Sequence, residues 1–140
     1  MDKLPSGYTL QEGADVDAAQ AFLAASYWNK GISREAMQLA LDNSVAVSVW
    51  TEGVQVGMAR VVSDRVTIAY INDVYVLEGH RGQGLASAMI AYLRTRPAFA
   101  GVGRWLLFTK DAQPFYTGLG WREYPWPERT MIVDDKVFPQ

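Results

Sequence analysis

Two hydrophobic periods alternate along the chain. Where apolar residues recur every three or four positions, a helix with one buried stripe is expected; where they alternate or crowd together, a strand is. YTLQEG, residues 8–13, reads as a short first strand. Asp15 then stands before Val16, Ala19 and Leu23, as the cap of a helix running to about Ser26. Ser33 can cap a second helix to about Asp42, with Glu35 near its positive end and Met37, Ala40 and Leu41 inward. Three valine-rich runs follow, VAVSVW, VQVGMARVV and VTIAYINDVYVL, separated by TEG and SDR, whose short polar composition suits antiparallel hairpins. Leu85, Met89 and Leu93 predict a third helix that stops before Pro97. RWLLFTK predicts a fifth strand, and Asp111 the cap of a short helix over AQPFYTGL with Pro114 in its first turn; TMIVDDKVF predicts a last strand. The order β, α, α, β, β, β, α, β, α, β implies a mixed sheet flanked by helices.

Composition narrows the class. A chain of 140 residues, 49% hydrophobic, can bury one sizeable core, so a single domain over residues 1–140 is expected. With 13 basic against 15 acidic side chains there is no broad electrostatic drive toward nucleic acid or an anionic membrane. The absence of cysteine excludes a disulfide framework, a thiol nucleophile and a zinc–thiolate site, and the single histidine, His80, cannot build a multi-histidine metal centre, so no metal is expected. The N-terminal residues have no apolar core of signal-peptide length and no run approaches the roughly 20 residues needed to span a bilayer, which makes a soluble cytoplasmic protein the expectation.

Three of the 12 glycines, Gly79, Gly82 and Gly84, crowd into VYVLEGHRGQGLASAMIAYL, where a strand gives way to a helix. A helix start exposes amide donors and a partial positive charge, so a glycine-rich turn there can wrap backbone around a phosphate. A P-loop would need Gly-Lys-Ser/Thr, which does not follow. In a dinucleotide fingerprint Ser87 could stand for the third small residue, but an acidic residue is wanted about 20 positions on, where this chain has Arg104, and the turn should follow a βαβ unit rather than a meander.

The remaining pattern, Arg/Gln-x-x-Gly-x-Gly/Ala, is met by Arg81, Gly84 and Ala86. Here, and in DAQPFYTGLGW farther on, the sequence resembles the GNAT superfamily of acyl-CoA N-acyltransferases, whose element order also matches. The resemblance implies an α/β (α+β) fold with a mixed, mostly antiparallel sheet of six to seven strands and about four helices, opened between strands 4 and 5. It implies acetyl-CoA as co-substrate, the arm of the coenzyme on strand-four backbone near Tyr75, Val76 and Leu77. The diphosphate would lie on the amides of Arg81, Gly82, Gln83, Gly84, Leu85 and Ala86, with the Arg81 side chain available to phosphate. An asparagine is common in the family where this chain has Thr109, which offers the coenzyme a hydroxyl instead.

Acetyl transfer to an amine requires a neutral amine, a path for its proton and a donor for the departing thiolate. Tyr116 matches the family tyrosine near the coenzyme sulfur and is the expected acid. Asp73, three before Val76, matches an acidic position that faces the acceptor amine in polyamine-type members; it would hold or deprotonate the acceptor, or else serve a salt bridge. Regular alternation would put Asp73 and Tyr75 on one face, and a bulge would upset that parity. Tyr27 and Trp28 in SYWNKG are read as walls of the acceptor site, with YPWPER opposite. His80 reads as a solvated turn residue, and Arg60, Asp64, Lys110 and Asp111 as strand-end and cap charges. The partners implied are acetyl-CoA and a small-molecule primary amine, with strand edges compatible with a homodimer; a protein or peptide N-acetyltransferase and a non-catalytic acyl-CoA sensor are the alternatives.

Overall fold

The computed structural model describes residues 4–135. They fall into two compact units, residues 4–108 and 109–135.

The first unit is built on an antiparallel meander. β1 (Thr9–Glu12), β2 (Val45–Thr51), β3 (Val54–Ser63) and β4 (Ala69–Val76) pair in sequence order, and β5 (Trp105–Leu106) joins β4 in parallel. Thr51 lies opposite Val54, and the two residues between them, Glu52 and Gly53, take φ of 51° and 77°, so the β2–β3 turn has the primed geometry that follows strand twist. At the next turn the Asp64 carboxylate accepts from the amides of Val66 and Thr67 at 2.9 and 2.7 Å and from the Thr67 hydroxyl at 2.5 Å. These bonds favour the ionised form and hold its pKa well below the usual carboxylate range.

Helices cover both faces. α1 (Val16–Leu23) and α2 (Arg34–Asp42) start at Asp15 and Ser33, whose side chains accept from the amides of Ala18 and Ala36 at 2.9 and 3.1 Å. They bury Ala19, Leu23 and Met37 against Met58 of β3 and Tyr75 of β4. α1 ends three residues earlier than the periodicity implies, because the Ser26 hydroxyl donates to the Leu23 carbonyl at 2.6 Å and accepts from the Asn29 amide at 3.0 Å, closing a turn. α3 (Leu85–Arg94) lies on the other face: Gly57, next to Met58 and pointing the opposite way, looks at Met89. β3 is therefore buried continuously from Gln55 to Val61.

In the second unit α4 (Gln113–Gly118) begins at Ala112 and not under an Asp111 cap; the Ala112 amide donates to the Thr109 hydroxyl at 3.0 Å. A single 3₁₀ turn, Pro127–Arg129, follows.

Five strands are present among the described residues, against the six to seven expected. RWLLFTK contributes Trp105 and Leu106 alone, because β4 offers it a ladder at two positions. Residues 130–134 form no strand and Asp135 lies in a turn; the rest of TMIVDDKVF, residues 136–138, lies outside the described residues.

A Cβ at Gly57 would stand 3.0 Å from the Tyr75 carbonyl oxygen and 3.3 Å from Met89 Cε. Gly57→Ala should therefore destabilise by about 1–3 kcal/mol through overpacking, read as a lower urea midpoint at unchanged slope. An unaltered midpoint would show that α3 and β3 do not pack this closely in solution.

Candidate active site

The sheet opens where its last two strands meet. β5 pairs with β4 only through Ala69 with Trp105 and Tyr70 with Leu106, so β4 from Ile71 to Val76 has a backbone edge that β5 leaves uncovered. The Leu77 amide points the other way, donating to Val56 at 2.8 Å. Backbone groups alternate sides along a strand, so Tyr75 also pairs toward β3, while Val74 and Val76 present theirs to the open edge. Of the three residues expected to line that edge, Val76 does so by its backbone; Val74 was missed because register is not written in a single strand's sequence. The Tyr75 side chain goes into the core, its ring stacked on Phe22 at 4.1 Å and its hydroxyl accepting from Gln55 at 3.2 Å.

The edge runs directly into the glycine-rich turn. A 3₁₀ turn, Glu78–His80, leads to Arg81, and Gly82 and Gly84 both take φ of 78°. This left-handed region explains the two glycines, since a Cβ at either would meet nothing within 4 Å. Gly84 is the N-cap of α3 and gives no side-chain cap, so amides of the first turn point outward beside the positive end of the helix. Leu85 is buried and anchors that end. Arg81 is exposed, with its Nε donating to the Val76 carbonyl at 2.9 Å, which joins turn to edge.

His80 is not solvated as its place in the turn suggested. It is half-buried, with Nδ1 2.8 Å from the Tyr8 hydroxyl, which also accepts from Gln83 Nε2 at 3.2 Å. Tyr8 thus braces both sides of the turn from just before β1. No local pattern distinguishes it, because its partners lie more than 70 positions away.

Asp73 sits in a bulge of β4. Arg60 pairs with Asn72 and Met58 with Tyr75, so two steps along β3 match three along β4. Asp73 takes φ of 53°, and its amide, displaced from the ladder, donates to Asn72 Oδ1 at 2.9 Å. Its carboxylate is buried and meets four donors. Arg60 gives Nε at 2.9 Å and Nη2 at 2.7 Å to Oδ2, while Trp28 Nε1 and Asn29 Nδ2 reach Oδ1 at 2.8 and 2.7 Å. Despite the bulge, Asp73 and Tyr75 both meet the α1–α2 region, Asp73 through Trp28 and Asn29 and Tyr75 through Phe22. Arg60 is correspondingly no strand-end charge: it is buried mid-strand and also donates to Ser44 at 3.0 Å. The signal for it was one arginine within the otherwise uncharged run VQVGMARVV.

Aromatic side chains surround this ion pair. Trp28 carries Tyr27 edge-on at 5.1 Å. Tyr70 lies close enough to Asp73 and Arg60 for their charges to act on its phenol, and burial above all pushes that phenol's pKa up. Phe108 stands edge-on to Tyr70 at 5.7 Å.

In the second unit, Tyr116 on α4 is half-buried between Phe115 and Trp121, at ring distances of 5.0 and 6.1 Å, and burial raises its pKa. In YPWPER the Arg129 guanidinium lies 4.4 Å from the Trp126 ring centre. Among the described residues no group of three or more His, Asp or Glu side chains is placed to hold a metal ion, and no helix is long and apolar enough to cross a membrane.

A family model, the acetyltransferase (GNAT) domain, matches residues 42–123. The chain is similar to a putative acetyltransferase of Gibberella zeae, with 27% identity over 131 residues that cover 78% of this chain and 74% of that one. Among solved structures it is similar to a putative acetyltransferase of the GNAT family from Xanthomonas campestris, at TM-score 0.85 and 30% identity, over 94% of this chain and 95% of that one. An aminoglycoside acetyltransferase from an uncultured soil metagenomic sample shares the fold at TM-score 0.66 and 20% identity, over 91% and 96% of the two chains.

Removing one partner of a buried ion pair strands the other charge, so Arg60→Met and Asp73→Leu should each cost about 3–5 kcal/mol in urea unfolding. The double variant should cost clearly less than the sum. Additive losses would mean that the two side chains do not compensate each other.

Proposed function

The chain belongs to the GNAT acetyltransferase family, and we propose that it moves an acetyl group from acetyl-CoA to a primary amine of a small molecule, by direct attack while both are bound. The observation that carries this reading is the continuous run from the uncovered β4 edge at Val76 to the uncapped helix start behind Gly84. It fits the coenzyme chemically: backbone groups at Val74 and Val76 suit the amides of its arm, and the outward amides of the turn with Leu85 and Ala86 suit its diphosphate. Arg81, with Nε already on Val76, extends its remaining nitrogens toward the same phosphates. The coenzyme supplies an activated acyl group as a thioester.

The chain's own residues then manage protons and position. Tyr116 donates a proton to the departing thiolate; its phenol, pushed up in pKa by burial, is protonated at neutral pH. Thr109 accepts from the Ala112 amide and retains its own hydroxyl proton for the coenzyme. Asp73, already holding four donors, contributes by fixing Trp28 and Asn29 as the acceptor wall; taking the acceptor's proton would first require one of those donors to leave. The acceptor amine sheds its proton to water.

Saturating acetyl-CoA should raise Tm by several degrees, as expected for a ligand that adds a few kcal/mol to the folded state. Coenzyme A release over a panel of amines, peptides and lysine side chains should then show small amines used best. A shift in Tm without release from any acceptor would favour a binding protein over a transferase.

Tyr116→Phe should lower kcat by about 10²- to 10⁴-fold while the KM for acetyl-CoA stays nearly unchanged. Because the phenol must be protonated and burial raises its pKa, any fall in wild-type rate from its ionisation should come at higher pH than for an ordinary tyrosine and be missing in the variant. Undiminished turnover in Tyr116→Phe would remove it as the acid.

A further inference from the structure

We propose that the acceptor wall selects a monoamine with an aryl or alkyl body over a polycation, and that Arg60 is the residue that sets this choice; the inference rests on the amine-acetylation reading above. A site for polyamines or aminoglycosides must offer carboxylates with charge and lone pairs to spare. At Asp73 neither is left over. Arg60 stands 2.7 Å from it, both side chains being almost wholly buried, so the pair carries no net charge. Trp28 and Asn29 take up the other carboxylate oxygen.

Beyond the polar contacts of Asn29 and Ser44, apolar side chains lie open on the same face. Val62, two residues beyond Arg60 on β3 and so on the same face, lies opposite Tyr70. Tyr70 carries Phe108, which is 66% exposed, and Val62 and Trp28 are each 39% exposed. Exposed apolar surface gathered around a neutralised buried charge is the complement of an apolar ligand body, not of several ammonium groups.

Neutrality also serves the reaction. An uncompensated carboxylate beside the acceptor would hold the amine as ammonium, the form that cannot attack. An electrically neutral, ring-lined wall disfavours that charge by desolvation and leaves the free amine. The rings still give an arriving ammonium a weak attraction through their faces. Arg60 would thus act as a specificity-determining residue without touching the acceptor.

The test uses the full chain with acetyl-CoA and four amines: 2-phenylethylamine, n-hexylamine, spermidine and kanamycin. The two monoamines should exceed spermidine and kanamycin by about tenfold or more in kcat/KM, the scale on which an apolar pocket discriminates. Phe108→Ala, an exposed change that should not disturb folding, should raise the KM for 2-phenylethylamine several-fold and leave the KM for acetyl-CoA alone. Equal or better use of spermidine or kanamycin would overturn the proposal, as would a Phe108→Ala variant with unaltered acceptor KM. In parallel, the indole N–H resonance of Trp28 in the complex with coenzyme A should shift on adding 2-phenylethylamine and stay put with spermidine. If it shifts in that way while no amine releases coenzyme A, the transfer reading fails and the selectivity of the wall stands. If coenzyme A is released equally from all four amines, transfer stands and the selectivity fails.

Discussion

A carboxylate held away from water is tolerable only when donors replace its hydration, and the surroundings of Asp73 are arranged around that requirement. Four donors arrive from three residues: Arg60 on β3, and Trp28 and Asn29 on the α1–α2 connection. Each must be brought to within about 3 Å, which pins the connection to the sheet and leaves little freedom in how Trp28 is presented. The bulge in β4 belongs to the same solution. It places Asp73 at positive φ, a conformation Asp and Asn tolerate better than most residues, and lets neighbouring Asn72 take the amide that the ladder loses.

The other half of the site depends on backbone rather than side chains. β4 is covered along one side by β3 and along the other by only two residues of β5. The edge so exposed ends at Val76, where Arg81 folds back onto the carbonyl and two glycines turn the chain into α3. The edge and the helix start are thus joined by the short turn of residues 77–84. Their positions are held from behind, because Leu85 anchors the helix start in the core and Tyr8 braces His80 and Gln83 on either side of the turn.

These two halves divide the work. In the proposed reading, backbone groups bind a carrier whose arm and phosphates are always the same, whereas side chains shape the acceptor wall. Here Arg60 neutralises Asp73, and Trp28, Tyr70 and Phe108 face the region.

Short-range pattern carried much of this. The helix starts at Asp15 and Ser33, the three-stranded meander of β2, β3 and β4 and the turn at Gly82 and Gly84 could be read locally, since caps, hydrophobic period and left-handed glycines act over a few residues. The family likeness likewise lay in two short motifs. Tertiary structure alone decided that Arg60 is buried and paired, that His80 is braced by Tyr8, that Leu77 turns its amide to β3, and that the fifth strand is two residues long. Each of these is a pairing between residues distant in the chain. Whether a charge is solvated or neutralised, and which edge of a strand is left bare, depends on what the rest of the fold brings beside it.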